Sequence, residues 1–246
     1  MPDYYSPLLQ SAPHRQVLAT PLTATQRLEL AGSVPWPERL AQGFEYSRSN
    51  YVALGMIVER LRGRPLAEVL RTDVIEPLGL SGTALTDVGP LPDTLVHGSV
   101  LIGGEPVDTA FAALHAGSAA EGLVSTVQDL NTLFKALMRG DLLGPPMVNE
   151  MKGPIYAPYG LGIDRWNDTC TNGFYYGRHG DVPGYGTIAM SSADGIRQVA
   201  IAVAYPPSPL PTVRPNAISP EMVELAEDAL NSTCRGLQFR WEPAVS

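Results

Sequence analysis

Residues 44–55 read FEYSRSNYVALG, and the pattern that this stretch opens sets the architecture. From Asn50 the apolar positions Leu54, Ile57, Val58 and Leu61 fall at i, i+3, i+4 and i+7, the spacing of a helix that Gly63 ends. Polar residues bunched ahead of a helix are usually caps, and Ser47 suits that role. Tyr46 and Arg48 do not cap, so they need another reason to be there. A second helix comes next in RPLAEVLRTDVIEPLGL, with Pro65 near its start and Pro77 near its close.

Working outward, TATQRLELAGSVPWPERLAQG predicts a short helix and then a proline-punctuated loop, while 81–118 reads as loop with short strands. STVQDLNTLFKALMRG is an amphipathic helix. Ser125 and Gln128 have capping-box spacing, Leu130, Leu133, Phe134 and Leu137 form its apolar stripe, and Gly140 closes it. After LLGPPMVNEMKGP the texture turns to strands: YGLGIDRW, GFYYGR, YGTIAMSS and RQVAIAVAY, the last two joined through Ala193-Asp194-Gly195. SPEMVELAEDALNS is a final helix, with Ser219 as cap and Pro220 at its first position. The layout predicts an α+β protein: a helical lobe over residues 1–155, then an antiparallel sheet with a terminal helix over 156–246.

The 246 residues are 44% hydrophobic and 17% charged, enough to bury a core in one large domain or two lobes. A formal net charge of -8 argues against nucleic acid or an anionic membrane as the main partner. No apolar run approaches the ~20 residues of a membrane span, and the opening MPDYYSPLLQ lacks the pattern of a signal peptide. Neither a Gly-x-Ser-x-Gly elbow nor a phosphate-binding glycine loop occurs. The histidines His14, His97, His115 and His179 lack metal-site spacing, so neither a metal nor a cofactor is expected. Cys170 and Cys234 allow one disulfide or two separate buried thiols.

Taken in order, several segments resemble the serine β-lactamase and D-alanyl-D-alanine carboxypeptidase superfamily, in particular the class C-like secreted carboxypeptidases of actinomycetes. FEYSRSNYVALGMIVERLRGRPLAEVL with VIEPLGLSGT resembles the stretch in which that family carries Tyr-Ser-Asn, a helix and a Pro-Leu-Gly-Leu turn. GLVSTVQDLNTLFKALMRG resembles a later lobe helix, and EDALNSTC a terminal helix with its cysteine. GRHGDVPGYGT resembles the third motif, a Lys or His, one variable residue and a Gly on the strand that lines the active site. The resemblance covers nearly all of residues 1–235 and implies a β-lactamase/transpeptidase-like fold. It also implies acyl transfer through a serine ester on D-amino-acid peptides, β-lactams or small esters, in a secreted or extracytoplasmic protein.

Such chemistry needs a nucleophile, a base, an oxyanion hole and a cation for an anionic substrate group. By resemblance Tyr46 is the base, with Ser47 in a proton relay and Arg178 as the third-motif cation. His179 stands at the variable position, and Gly180 lets a ligand backbone lie close to the strand. Arg165 is a further candidate for holding a terminal carboxylate. Arg48 departs from the family asparagine: it has five donors and no acceptor, and its charge beside Tyr46 would favour a phenolate.

The third motif also begins with Arg178 rather than Lys or His, and a third departure is larger, since no Ser-x-x-Lys exists in the chain. Its two lysines, Lys135 and Lys152, have Thr132 and Asn149 three residues before them, and Thr132 sits mid-helix. MPDYY resembles the residues just after the family's His-Thr-Ser-Gly-Leu segment. The sequence therefore predicts that the family's N-terminal strands and nucleophile helix are missing, and that an exposed apolar face remains where they would pack. Three rivals arise: a degenerate homologue that binds peptidoglycan-like peptides or a protein partner, a longer enzyme whose start was placed too late, and an esterase of the same fold. By residue type alone the plainer readings also stand. Tyr46 is then a packing aromatic, Ser47 a cap, Arg48, Arg165 and Arg178 structural or solvated charges, and His179 a strand-edge histidine.

Overall fold

The computed structural model describes residues 1–36, 45–85, 93–110, 112, 117–156, 158–210 and 220–238. The chain forms two compact units, Met1–Thr126 with Asp181–Gly186 and Val203–Ala217, and Val127–Gly180 with Thr187–Ala202 and Ile218–Ser246. This partition differs from the sequence division at 155/156. The helices over 127–152 belong to the second unit, where Phe134, Leu137, Met138 and Val148 pack with Ile163 and Ala189.

The first unit opens with α1 (Tyr5–Ser11) and α2 (His14–Ala19), which the sequence reading did not resolve, and α3 (Ala24–Gly32), which it did. Thr23 and Gln26 make a capping box at α3. Helix α4 (Arg48–Arg62) begins two residues before the expected start and ends at Gly63, whose φ of 65° requires a residue without Cβ strain. It continues through α5 (Leu66–Leu70), a π-helical turn at Arg71–Ile75 and α6 (Glu76–Leu78). Short strands β1 (Ala84–Leu85) and β4 (Leu123–Val124) pair with each other. β2 (Ser99–Ile102) is flanked by β3 (Glu105–Asp108), antiparallel, and β9 (Ser208–Pro209), parallel.

The core of this unit gathers Tyr4, Tyr5, Leu8, Leu9, Val17, Leu18, Ala31, Val52, Val100 and Leu210. The face that α4 buries is not the one its leucine spacing suggests. Leu54, Ile57 and Leu61 are 55%, 52% and 78% exposed, while Ser49, Val52 and Gly55 are buried. The reason is a close approach: a Cβ on Gly55 would lie 2.4 Å from the Cβ of Ala119, so the small residue draws that side inward.

In the second unit α7 (Val127–Arg139) carries the expected stripe, with Phe134 and Leu137 buried and Leu130 packed beside them. The capping box expected from Ser125 and Gln128 is not made. The helix starts at Val127, and the Ser125 hydroxyl meets Thr83 Oγ1 at 2.7 Å. α8 (Pro145–Lys152) comes next, then a four-stranded sheet in the order β5 (Asp164–Asp168), β6 (Gly173–Val182), β7 (Tyr185–Ser192), β8 (Gln198–Ala204). These are the four strands read from the sequence. β5 and β6 are antiparallel, with Asp164 opposite Gly177 and Asp168 opposite Gly173. A Cβ on Gly177 would lie 1.9 Å from the Ala189 carbonyl oxygen, so β6 approaches β7 as it does only because residue 177 is glycine. Helix α9 (Pro220–Gln238) starts at the expected proline and packs on β5.

Two features fasten α9. Cys170 and Cys234 are disulfide-bonded, which settles the choice left open by sequence. Beside the bridge, Asp168 accepts from Arg197 (2.6 Å), Thr171 Oγ1 (2.8 Å) and the Cys170 N–H (2.9 Å). Arg197 also donates to the Tyr175 hydroxyl (2.9 Å), which donates to Asn231 Oδ1 on α9 (2.8 Å). Burial pushes the Asp168 carboxyl up, but these donors, Thr171 and Arg197 foremost, outweigh it and hold it below the usual range. Among the described residues, no helix is long and apolar enough to cross a membrane.

Replacing both Cys170 and Cys234 with alanine should lower stability by about 4 kcal/mol in the chain-entropy model, read from denaturant unfolding of oxidised wild type and variant. The Asp168 contribution is fully present above the unfolded carboxylate range and is lost as pH falls through its depressed folded value. The Asp168→Asn variant should therefore show a shallower loss of stability on acidification below about pH 4 than wild type.

Candidate active site

The sequence-predicted residues fall in two clusters, one in each unit. In the first unit, the turn entering α4 is tied to residues 1–4. Ser47, 2% exposed, donates through Oγ to the Pro2 carbonyl (3.2 Å). The Tyr4 N–H donates to Ser49 Oγ (3.0 Å), and the Met1 nitrogen donates to Asn50 Oδ1 (3.1 Å). Arg48 meets Asp3 Oδ2 through both its backbone N–H (3.3 Å) and its guanidinium (3.2 Å). Its Nε lies 3.9 Å from Glu121 Oε2, and its guanidinium stacks over the Tyr5 ring at 4.6 Å. Glu121 in turn accepts a short hydrogen bond from the Tyr4 hydroxyl.

This is a buried charge cluster. The side chains of Arg48 and Glu121 are 11% and 4% exposed. Burial works against the guanidinium charge, but Glu121 and Asp3 outweigh it, so Arg48 holds its proton more firmly than an arginine in water. Burial, followed by the Glu121 carboxylate, raises the Tyr4 and Tyr5 phenols above their ordinary value, which keeps both neutral. Arg48 therefore turns toward the interior, and two carboxylates balance the charge that sequence reasoning placed at the service of Tyr46. Tyr46 itself is 37% exposed, with its ring 5.7 Å from that of Tyr51. It stands at the turn that residues 2–4 hold in place.

In the second unit, the pairing of β5 with β6 ends at Asp164–Gly177. Arg178, His179 and Gly180 continue β6 past that point, with Arg178 and Gly180 on one face by strand alternation. The Arg178 guanidinium donates to Asp164 Oδ2 (2.8 Å) and lies over the Tyr159 ring at 5.1 Å. His179 Nδ1 is 3.1 Å from the same Asp164 oxygen. A Cβ on Gly180 would lie 2.7 Å from Thr187 Oγ1, so glycine keeps this stretch of β6 narrow. The Arg165 guanidinium stacks on Phe174 at 4.5 Å. Lys152 donates to the Ala193 carbonyl (3.1 Å) and lies over the Tyr176 ring, and burial lowers its pKa. Thr132 is exposed and donates to the Gln128 carbonyl (3.0 Å), in keeping with its reading as part of a helix rather than of a nucleophile motif.

Sequence reasoning named the cations and missed their partners. Asp3, Glu121 and Asp164 belong to no sequence pattern shared with these cations, and Asp3 lies 45 residues from Arg48. The one local signal was Asp164 next to Arg165, and it pointed to the wrong arginine.

The comparisons with known proteins agree with this architecture. The Beta-lactamase family model matches residues 1–209, and the chain belongs to the β-lactamase family. It is 23% identical over 170 residues to penicillin-binding protein 4* of Bacillus subtilis (strain 168), covering 62% of this chain and 38% of that protein. Its fold is similar to that of a D-amino acid amidase from Ochrobactrum anthropi SV3 (TM-score 0.74, 20% identity, covering 97% of this chain and 69% of the other). It is also similar to a D-stereospecific amidohydrolase from Streptomyces sp. (TM-score 0.71, 24% identity, covering 81% and 63%). The chain thus spans well under half of the Bacillus relative and somewhat under two thirds of the Streptomyces one.

If the cluster around Arg48 holds the turn, Arg48→Met should cost about 3–5 kcal/mol, because it removes the guanidinium that Asp3 and the buried Glu121 share. Arg48→Met/Glu121→Gln should recover part of that loss, read as a positive coupling in a double-mutant cycle from urea unfolding.

Proposed function

We propose that this chain is the part of a serine acyl hydrolase that carries its tyrosine and third motif. The enzyme acts on D-amino-acid amides and peptides, β-lactams or related esters. In this reading a serine hydroxyl attacks the substrate carbonyl while Tyr46 takes its proton and passes it to the departing amine or alcohol. Water then releases the acyl group from the serine, and Tyr46 again moves the proton. Arg178 and Gly180 form the strand edge along which the substrate lies, and Ser47 fixes the turn that presents Tyr46. The observation that supports this reading is a family match over residues 1–209, a span that includes both Tyr46 and Arg178. The D-amino acid amidase and amidohydrolase relatives support the substrate class.

The Ser-x-x-Lys pair is not among these 246 residues, so in this reading the chain alone forms no acyl-enzyme. The longer protein that supplies the serine works outside the reducing cytoplasm, where Cys170–Cys234 is stable. A second reading, a non-catalytic homologue that binds D-amino-acid peptides, is favoured by one observation. Arg48 stands where the family carries an amide, and its donors are engaged by Asp3 and Glu121.

The test is to read the coding DNA ahead of Met1 and to express whatever in-frame sequence precedes it. The 246-residue chain should gain no mass with a penicillin or a nitrophenyl ester. A longer product with an in-frame Ser-x-x-Lys should be acylated on that serine, and Tyr46→Phe should slow its turnover by about 10²-fold or more. A stop codon directly upstream, with D-peptide binding and no acylation, would replace this reading with the second.

A further inference from the structure

We propose that Asp164 sets the substrate preference of this site by cancelling the charge of Arg178, so that the site takes acyl donors bearing a neutral carboxamide or ester where a carboxypeptidase substrate bears a free carboxylate. The inference rests on the reading above, in which Arg178 stands at the position of the third-motif cation. A cation there attracts a substrate carboxylate only if its charge is unspent.

Here it is spent. Arg178 donates to Asp164 Oδ2 at 2.8 Å, and the Asp164 side chain is 9% exposed, so water screens its charge little. His179 Nδ1 reaches the same oxygen at 3.1 Å. The guanidinium and the carboxylate sum to zero charge. A substrate carboxylate would have to compete with Asp164 for the guanidinium and lie close to a like charge. A carboxamide meets no such penalty, since it brings an acceptor for the guanidinium N–H groups and a donor for the Asp164 carboxylate.

Other cations of the second unit do not restore the balance at Arg178. Arg165 stacks on Phe174, and Lys152 is held by the Ala193 carbonyl. The pair is also built into the fold. Asp164 begins β5 directly opposite Gly177, so its side chain is presented at the point where β6 runs on past the end of β5.

The test uses two neutral-versus-anionic twins, N-acetyl-D-phenylalaninamide and N-acetyl-D-phenylalanine, titrated into the 246-residue chain at about pH 8, above the ordinary histidine range. Wild type should bind the amide tighter by roughly two- to fivefold, the scale of a partly exposed charge contact. Binding of the acid should change little with added salt. Asp164→Asn should reverse the preference, and its binding of the acid should weaken steeply with salt. Should that variant fail to fold, the wild-type preference and its salt dependence still decide the matter. Equal affinity for the twins, or a salt-sensitive preference for the acid in wild type, overturns the role of Asp164 while the hydrolase reading stands. Binding of neither twin by the chain also overturns this inference, while the hydrolase reading is decided separately by acylation of the longer protein.

Discussion

An arginine taken out of water must be met by negative charge or it destabilises the fold that buries it. Among the described residues Arg27 is the most enclosed, at 1% exposed, and donates to the Leu22 carbonyl, while three less enclosed arginines each have a carboxylate in place. Arg48 has Asp3 and Glu121, Arg178 has Asp164, and Arg197 has Asp168. In the first unit the Arg48 cluster joins the residues ahead of α1, the start of α4 and the segment before β4. Those pieces are far apart in the chain, and the position of Tyr46 depends on their being held together. In the second unit the Asp168–Arg197 pair anchors the sheet to α9 beside the disulfide, while Asp164–Arg178 marks where β6 leaves its neighbour.

These pairings change what the family motifs mean in this chain. At the tyrosine motif, a side chain that substitutes for an asparagine has become part of the interior, stacked on Tyr5 and bonded to carboxylates. At the third motif the cation is retained, yet a carboxylate has been set beside it. In both places a carboxylate lies against the arginine.

Much of the fold was legible in the sequence because its signals are local. Glycine and proline punctuation bounded α4, α7 and α9, and the β-branched and aromatic runs gave β5 to β8. The motif order named the family. The misreadings share one cause, which is that burial is decided by what arrives from elsewhere. The leucine stripe of α4 stayed exposed because Gly55 admits Ala119, and Ser125 was drawn to Thr83 rather than into a capping box. α1 and α2 were too short to show a period of their own; their apolar residues make sense only as part of a core with Val52, Val100 and Leu210.

The sequence by itself determined the α+β class, the family, the positions of Tyr46, Arg178 and Gly180, and the absence of Ser-x-x-Lys from these residues. Those are properties of residue identity and of spacing along the chain. Which carboxylate meets which arginine, whether Cys170 finds Cys234, and which side of α4 faces inward were decided only by the tertiary structure. Charge neutralisation and close packing act through space over a few ångströms, between residues that the chain can hold at any separation.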